Sequence, residues 1–452
     1  MKKAKKIVGY GLLAFVLVFG IVAYLNYPKL TILSGYSAKS MASSVFVAHR
    51  SAEFTDAHDN NFAPVNLADD VVDLENQTAT ASVYGLMERT AIYREGLGTV
   101  LVTDDFDVNA PYLKPNRKRT KNLRPEPYPY GDMPQKDTLF PEVDYAYLNK
   151  AVDTAFFSND TKRTRAVLVI YKDHIIAEKY ADGYDENSLF LGWSMTKSIL
   201  STFYGILEYQ GKMDILQKAP IEEWSNDSRS EITINNLLHM NSGLEWVEDY
   251  GSISDVTRML FEAKDVTKPQ VFKEAVHKPN EHWNYSSGTT NLLSGILRTQ
   301  FETHQEYLDF PYENLIDRIG MYSLLLEADM SGNYIGSSYS WGTIRDWAKF
   351  GLLYLHEGNW NGDQVFSKEW ATYVSTPAPN AGGQYGGHFW LNRGPDNYMP
   401  RVPKDTYSAN GFQGQRVVIV PSKDLVIVRF GLAEWPDFNF DQFLGGVCES
   451  IK

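Results

Sequence analysis

The sequence predicts an α+β fold of two lobes, with one antiparallel sheet flanked by helices and a mainly helical lobe inserted. Three observations predict it. Strand-like runs stand at Ala166 to Ile170 and Ile175 to Tyr180, and return only at Arg416 to Val420 and Leu425 to Phe430. Between them, residues 231–370 follow mainly helical spacing. The order strand pair, helix, helical insertion, strands, helix draws a single sheet from both ends of the domain.

Composition sets the frame. The 452 residues are 43% hydrophobic and 22% charged, a globular balance with ample length for a core. A net charge of −13 argues against nucleic acid as a partner. The single cysteine, Cys448, excludes an internal disulfide framework and a cysteine-based metal site. The nine histidines are scattered, and no His-Glu-x-x-His occurs. No metal or organic cofactor is implied.

The chain divides into residues 1–27, 28–140 and 141–452. In the first segment, Lys2, Lys3, Lys5 and Lys6 precede an uncharged run from Ile7 to Leu25. That length is near the roughly 20 residues needed to cross a bilayer. The expectation is an N-terminal transmembrane helix, a single-pass anchor in the inner membrane. The lysines would lie in the cytoplasm and the rest on the periplasmic side. A cleaved signal peptide is the alternative, although Ala23-Tyr24-Leu25 is a poor cleavage site.

Residues 28–140 form an N-terminal extension and linker. Ser44 to Val47 and Gly98 to Val102 read as strands. Residues 111–141 carry Pro111, Pro115, Pro125, Pro127, Pro129, Pro134 and Pro141, a pattern of irregular wrapping chain. Its basic run, Lys114, Arg117, Lys118, Arg119, Lys121 and Arg124, reads as a solvated loop or as a contact for anionic lipid or polymer.

The third segment opens with a helix over residues 144–157, followed by the first strand pair. Then comes Gly192-Trp193-Ser194-Met195-Thr196-Lys197, leading a helix to Tyr209 with Gly211 as its stop. A helix from Ser194 puts Ser194 and Lys197 one turn apart on one face. A hydroxyl is a poor nucleophile until a neighbouring base takes its proton, and a buried lysine can be that base. After the helical lobe and the second strand pair, residues 437–451 read as a closing helix.

Three further patches accompany the pair: His239-Met240-Asn241-Ser242-Gly243-Leu244, Tyr285-Ser286-Ser287-Gly288 and Asn410-Gly411-Phe412-Gln413-Gly414-Gln415. With these in order, residues 140–452 resemble the serine-active β-lactamase and penicillin-binding-protein superfamily. The nearest branch is that of class C-type β-lactamases, esterases and 6-aminohexanoate-dimer-type hydrolases. Ser194-Met195-Thr196-Lys197 matches Ser-x-x-Lys, and Tyr285-Ser286-Ser287 matches the Tyr-x-Asn/Ser element. Asn410-Gly411 stands where the family has Lys-Thr-Gly or a Gly-rich replacement.

The resemblance implies a β-lactamase/transpeptidase-like fold and a set of roles. Ser194 would be the acyl-accepting nucleophile, with Lys197 and Tyr285 as its acid and base. Which of the two is the base stays open, because coupled groups share a titration. The oxyanion hole would be the N–H of Ser194 with that of Phe412. Ser287 would orient Lys197, and Asn410 and Gly411 would border the substrate. The third motif lacks the lysine that recognises a substrate carboxylate, and Arg416 is the only replacement close by. The expected function is therefore acyl-enzyme hydrolysis of a small ester or linear amide. β-Lactamase or D,D-peptidase activity is the alternative, and an inactive membrane-anchored binding protein is another. A third rival, an α/β-hydrolase triad of Ser194 with His388 and Asp346, lacks the second glycine of Gly-x-Ser-x-Gly, because Thr196 stands there. Trp193, Trp283 and Trp341 fit a pocket lining or the core equally well.

Overall fold

The computed structural model describes residues 2–103, 105–117, 125–131, 133–395 and 398–452. Lys118, Arg119, Lys121 and Arg124 of the basic run lie outside the described residues. The chain forms two compact units. One contains residues 1–93, 99–107 and 247–264, and the other contains the rest.

In the first unit, helix α1 (Lys2–Ala42) leads to strands β1 (Ala68–Asp73), β2 (Thr78–Val83), β3 (Leu86–Arg94) and β4 (Gly98–Val102), which form a sheet in that order. The second half of α1 lies along β2 and against a helix from far along the chain, Asp255–Glu262. Small residues allow the approach. Gly35 lies 3.3 Å, measured from where its Cβ would be, from the Phe261 side chain, and the Tyr36 and Phe261 rings are 5.7 Å apart. Lys39 is buried and donates to Ser43 and Thr99 at 2.9 and 3.0 Å.

Two expectations fail here. The run from Ile7 to Leu25 is no separate anchor. It is the first half of a 41-residue helix that carries Pro28 inside it and ends in a buried face. Among the described residues, no helix is long and apolar enough to cross a membrane. This overturns the single-pass anchor, the inner-membrane location and the periplasmic placement. The run by itself carries no signal of where its helix ends, and the same helix continues through Pro28 to Ala42. Nor is Ser44 to Val47 a strand. Ser43–Val47 is a π-helical turn continuing α1, so the helix before it overrides the local β preference.

The second unit is built on a six-stranded antiparallel sheet. Its elements are α2 (Tyr145–Phe156), β5 (Thr164–Tyr171), β6 (His174–Tyr180), α3 (Met195–Tyr209), α4 (Ser287–Arg298), α5 (Ile344–Leu355), β7 (Trp390–Leu391), β8 (Tyr407–Gly411), β9 (Gln415–Val420), β10 (Leu425–Gly431) and α6 (Phe440–Glu449). The strand order is β7-β8-β9-β10-β5-β6. The late strands β9 and β10 thus pair with the early strand β5, as the strand runs at both ends predict.

Alternation along the strands divides two cores. Val167, Val169, Val418, Val420, Leu425 and Ile427 point to α2 and α6. Ala166, Leu168, Ile170, Val417, Ile419, Val426 and Val428 point to the larger core holding α3, α4 and α5. The strands β5 and β10 are buried throughout, which explains their near-continuous apolar sequence.

Candidate active site

The turn before α3 is tight and strained. Trp193 has φ 47°, a left-handed conformation costing about 1–3 kcal/mol for a bulky residue. It is held from several sides. The Gly192 N–H donates to Ser340 O at 2.8 Å, and the Thr196 N–H and hydroxyl both donate to Trp193 O, at 2.9 and 2.7 Å. The indole packs on Tyr339 and edge-on to Phe412, each with ring centroids 5.6 Å apart. Ser194 follows directly and is half-buried, at the N-terminal end of α3.

One turn on, Lys197 is only 1% exposed. Its Nζ donates to Ser194 Oγ at 3.0 Å, to Ser287 Oγ at 2.9 Å and to Ser337 O at 2.9 Å. Ser287 is brought there by α4, whose N-cap Ser286 accepts from the Thr289 N–H at 2.9 Å. Tyr285 precedes that cap, and its ring centroid lies 4.9 Å from Lys197 Nζ. Trp390 and Tyr385 back the Tyr285 ring, with centroids 5.4 and 5.8 Å away. Three segments far apart in sequence therefore meet at one lysine Nζ.

The third motif closes the arrangement from the edge of the sheet. Gly411 ends β8 against the Ser194 turn, and a Cβ there would stand 2.1 Å from Gly192 O. Phe412 follows, with its ring on Trp193. Strand alternation divides Asn410 from Gly411. Asn410 pairs in register with Arg416, shares its face, and accepts from Ser408 Oγ at 2.8 Å. Arg416 lies over the Phe440 ring of α6 at 3.8 Å, on the sheet face away from α3.

The rival histidine is elsewhere. His388 is buried, with its Nδ1 2.6 Å from Leu238 O and its Nε2 3.0 Å from the Thr290 hydroxyl. Burial above all, with the nearby Lys197 charge adding to it, pushes its pKa down to about 3. Asp346 instead accepts from Ser323, and its carboxylate pairs with Lys349 at 3.1 Å. A triad through these two residues is excluded. Among the tryptophans, Trp341 is core, donating to the buried Glu327 at 2.6 Å. Trp193 and Trp283 belong to the aromatic groups beside Ser194 and Tyr285. Among the described residues, no group of three or more His, Cys, Asp or Glu is placed to hold a metal ion.

Two positioning residues escape the motifs. Ser337 gives Lys197 its carbonyl partner, and Asn291 fixes Ser337 by accepting its N–H at 3.0 Å. Asn291 lies one helical turn after Ser287, so the spacing on α4 is the signal that points to it.

Comparison with known proteins bears on the family. The beta-lactamase family model matches residues 155–431, more than half of the chain. A 6-aminohexanoate-dimer hydrolase of Paenarthrobacter ureafaciens is 23% identical over 302 residues, 61% of this chain and 73% of that protein. The fold is similar to that of a family VIII carboxylesterase, with TM-score 0.55 and 14% identity over 70% of this chain and 98% of that one. It is also similar to a penicillin-binding protein homolog from Caulobacter crescentus, with TM-score 0.55 and 12% identity over 70% and 99% of the two chains. At these identities the structures speak for the fold alone. With the family match across most of the second unit, the chain belongs to the beta-lactamase family and is a serine hydrolase.

Proposed function

We propose that this enzyme hydrolyses a small ester or linear amide through an acyl-enzyme on Ser194. The observation that carries the reading is the buried Lys197 Nζ, within hydrogen-bond reach of Ser194 Oγ and against the Tyr285 ring. Ser194 Oγ attacks the substrate carbonyl and its proton passes to the Lys197–Tyr285 pair. The oxygen that becomes negative is held by the N–H groups of Ser194 and Phe412. The pair then protonates the leaving alcohol or amine. Water attacks the acyl-enzyme with the same pair as base, restoring Ser194. Ser287 and Ser337 O keep Lys197 aimed at the serine.

The substrate class rests on what stands around the serine. Arg416 is committed to the Phe440 face, so it supplies no charge beside Ser194 for a substrate carboxylate. A 6-aminohexanoate-dimer hydrolase is among the proteins that this chain is similar to, in keeping with this class. The test is pre-steady-state release of the leaving group from an activated ester by wild type and Ser194→Ala. A burst in the wild type that vanishes in the variant is expected. An undiminished burst in Ser194→Ala refutes the reading.

A further inference from the structure

The turn from Phe412 to Gly414 does not hold itself. Gln413 adopts φ 61°, left-handed for a non-glycine residue, and Gly414 has φ 80°. Such backbone persists only where its surroundings over-determine it. Here the surroundings are side chains from β9, β10 and the segment after β10.

Arg429 on β10 is 1% exposed. Its Nη1 donates to Gly414 O and Ala433 O, both at 3.0 Å, and to Gln413 O at 3.3 Å. Its Nη2 donates to Lys162 O at 2.8 Å and to the Thr164 hydroxyl at 3.1 Å, at the start of β5. The guanidinium is stacked over Phe438, 4.0 Å from the ring centroid. The close fit dictates two glycines. A Cβ at Gly414 would stand 2.5 Å from Nη1, and one at Gly431 would stand 2.3 Å from Nη2.

Gln415 grips the turn from the other side. Its Nε2 donates to Phe412 O at 3.0 Å and to Gly431 O at 2.6 Å, while its Oε1 accepts the Gly431 N–H at 3.1 Å. Glu434 Oε1 accepts the Gly414 N–H at 3.0 Å. All three carbonyls of the turn are thus engaged by two side chains, one a rigid planar fork.

We propose that Arg429 and Gln415 are positioning residues for acyl transfer, setting the direction of the Phe412 N–H by holding the carbonyls of residues 412–414. Neither touches substrate; they act through the turn. The inference rests on the reading of Phe412 as an oxyanion donor. That donor works only if it points at the developing charge before the reaction begins. The fork of Arg429 satisfies several carbonyls at once, which an ammonium on a flexible stem does not.

The experiment uses the full chain with Arg429→Lys and Gln415→Met, each titrated with a fluorophosphonate to count reactive Ser194. Loss of one oxyanion donor costs about 10²–10³ in kcat, so a misaimed one should cost about 10–100-fold. Acylation and deacylation both pass through an oxyanion, so the two rates should fall together and KM for p-nitrophenyl acetate should stay within about two-fold. Affinity for a trifluoromethyl ketone, whose adduct carries the oxyanion, should fall in parallel with kcat/KM. A folded, titratable variant with kcat within about two-fold of wild type overturns the inference, as does a fall in kcat with unchanged ketone affinity. If Arg429→Lys does not fold, Gln415→Met decides. Ser194→Ala separates the levels: a burst surviving in it refutes the underlying reading as well, whereas unchanged turnover in the turn variants beside an inert Ser194→Ala refutes this inference alone.

Discussion

The carbonyl of Gly192 faces the α-carbon of Gly411 with no side chain between them, and a Cβ at 411 would stand 2.1 Å from that oxygen. The backbone that presents the nucleophile and the strand that leads to Phe412 are therefore in direct contact. Gly411→Ala must push them apart, since neither neighbour is a flexible side chain. A displacement near 1 Å costs about 10²-fold in turnover. The expected outcome is a fall of that order in kcat/KM for an activated ester. Turnover within threefold of wild type would show that the contact has no bearing on the site.

The three partners of Lys197 rank the next substitutions. Lys197→Ala removes the group joining Ser194 to Ser287 and should lower kcat by about 10²–10⁴. Ser287→Ala removes one hydrogen bond, about 0.5–1.5 kcal/mol, so its loss of kcat should be the smaller by far. Tyr285→Phe should fall between them if the phenol passes the proton. Steady-state ester kinetics on all three check the ranking, and equal losses for Ser287→Ala and Lys197→Ala would overturn it.

Acid stability depends on two histidines, His388, which is buried, and His239, which is half-buried with both ring nitrogens covered. Burial pushes His239 down to about 4, and neither ring nitrogen has a hydrogen-bond partner among the described residues. His388 is held down to about 3, mainly by burial. A histidine kept neutral by folding contributes stability that is complete above its ordinary value near 6.5 and is lost as pH falls toward the folded value. The melting temperature should therefore decline from about pH 6.5 downward. His239→Phe keeps the ring that stacks on Tyr373 at 4.8 Å and removes the titration. Its decline should be shallower by a few degrees between pH 6.5 and 4, measured by thermal melts. An unchanged slope would count against the assignment.

The pair His356–Asp173, at 2.7 Å, works in the opposite sense. The hydrogen bond that His356 donates to Asp173 raises its pKa above 6.5. Burial pushes Asp173 up, but the His356 contacts outweigh it and the net direction is down. The stabilisation from His356 is thus complete below about 6.5 and lost as pH rises through the raised value, whereas that from Asp173 is lost only in strong acid. Tyr130 also donates to Asp173 at 2.8 Å, so the carboxylate joins the proline-rich segment to the β5–β6 turn. Asp173→Asn should cost about 1 kcal/mol near pH 6 and less near pH 8. Denaturant melts at the two pH values test the difference, and equal losses would refute it.

Much of the second unit was legible in sequence because its signals are local. Strand runs of β-branched residues, the helical spacing after Ser194 and the order of the motifs each survive without knowledge of partners. Gln415 and Arg429 were not legible, because their worth lies in carbonyls supplied by other segments. Asn410 and Gly411 are neighbours in sequence, and only the pairing of Asn410 with Arg416 tells which face each takes. The N-terminal run misled for a related reason. Its lack of charge is visible in sequence, whereas the continuation of its helix to Ala42 is decided by packing beyond it.

The helix Asp255–Glu262 is encoded in the middle of the hydrolase sequence but belongs to the unit built around α1. Val256, Met259, Leu260 and Phe261 are all buried there. Trimming the chain to begin near residue 141, as a shortened version for expression would do, strips the cover from that helix and leaves a greasy stripe in water. Such a fragment should clump unless the same four positions are also made hydrophilic, so the leading segment behaves as an integral half of a split module rather than as a detachable tail.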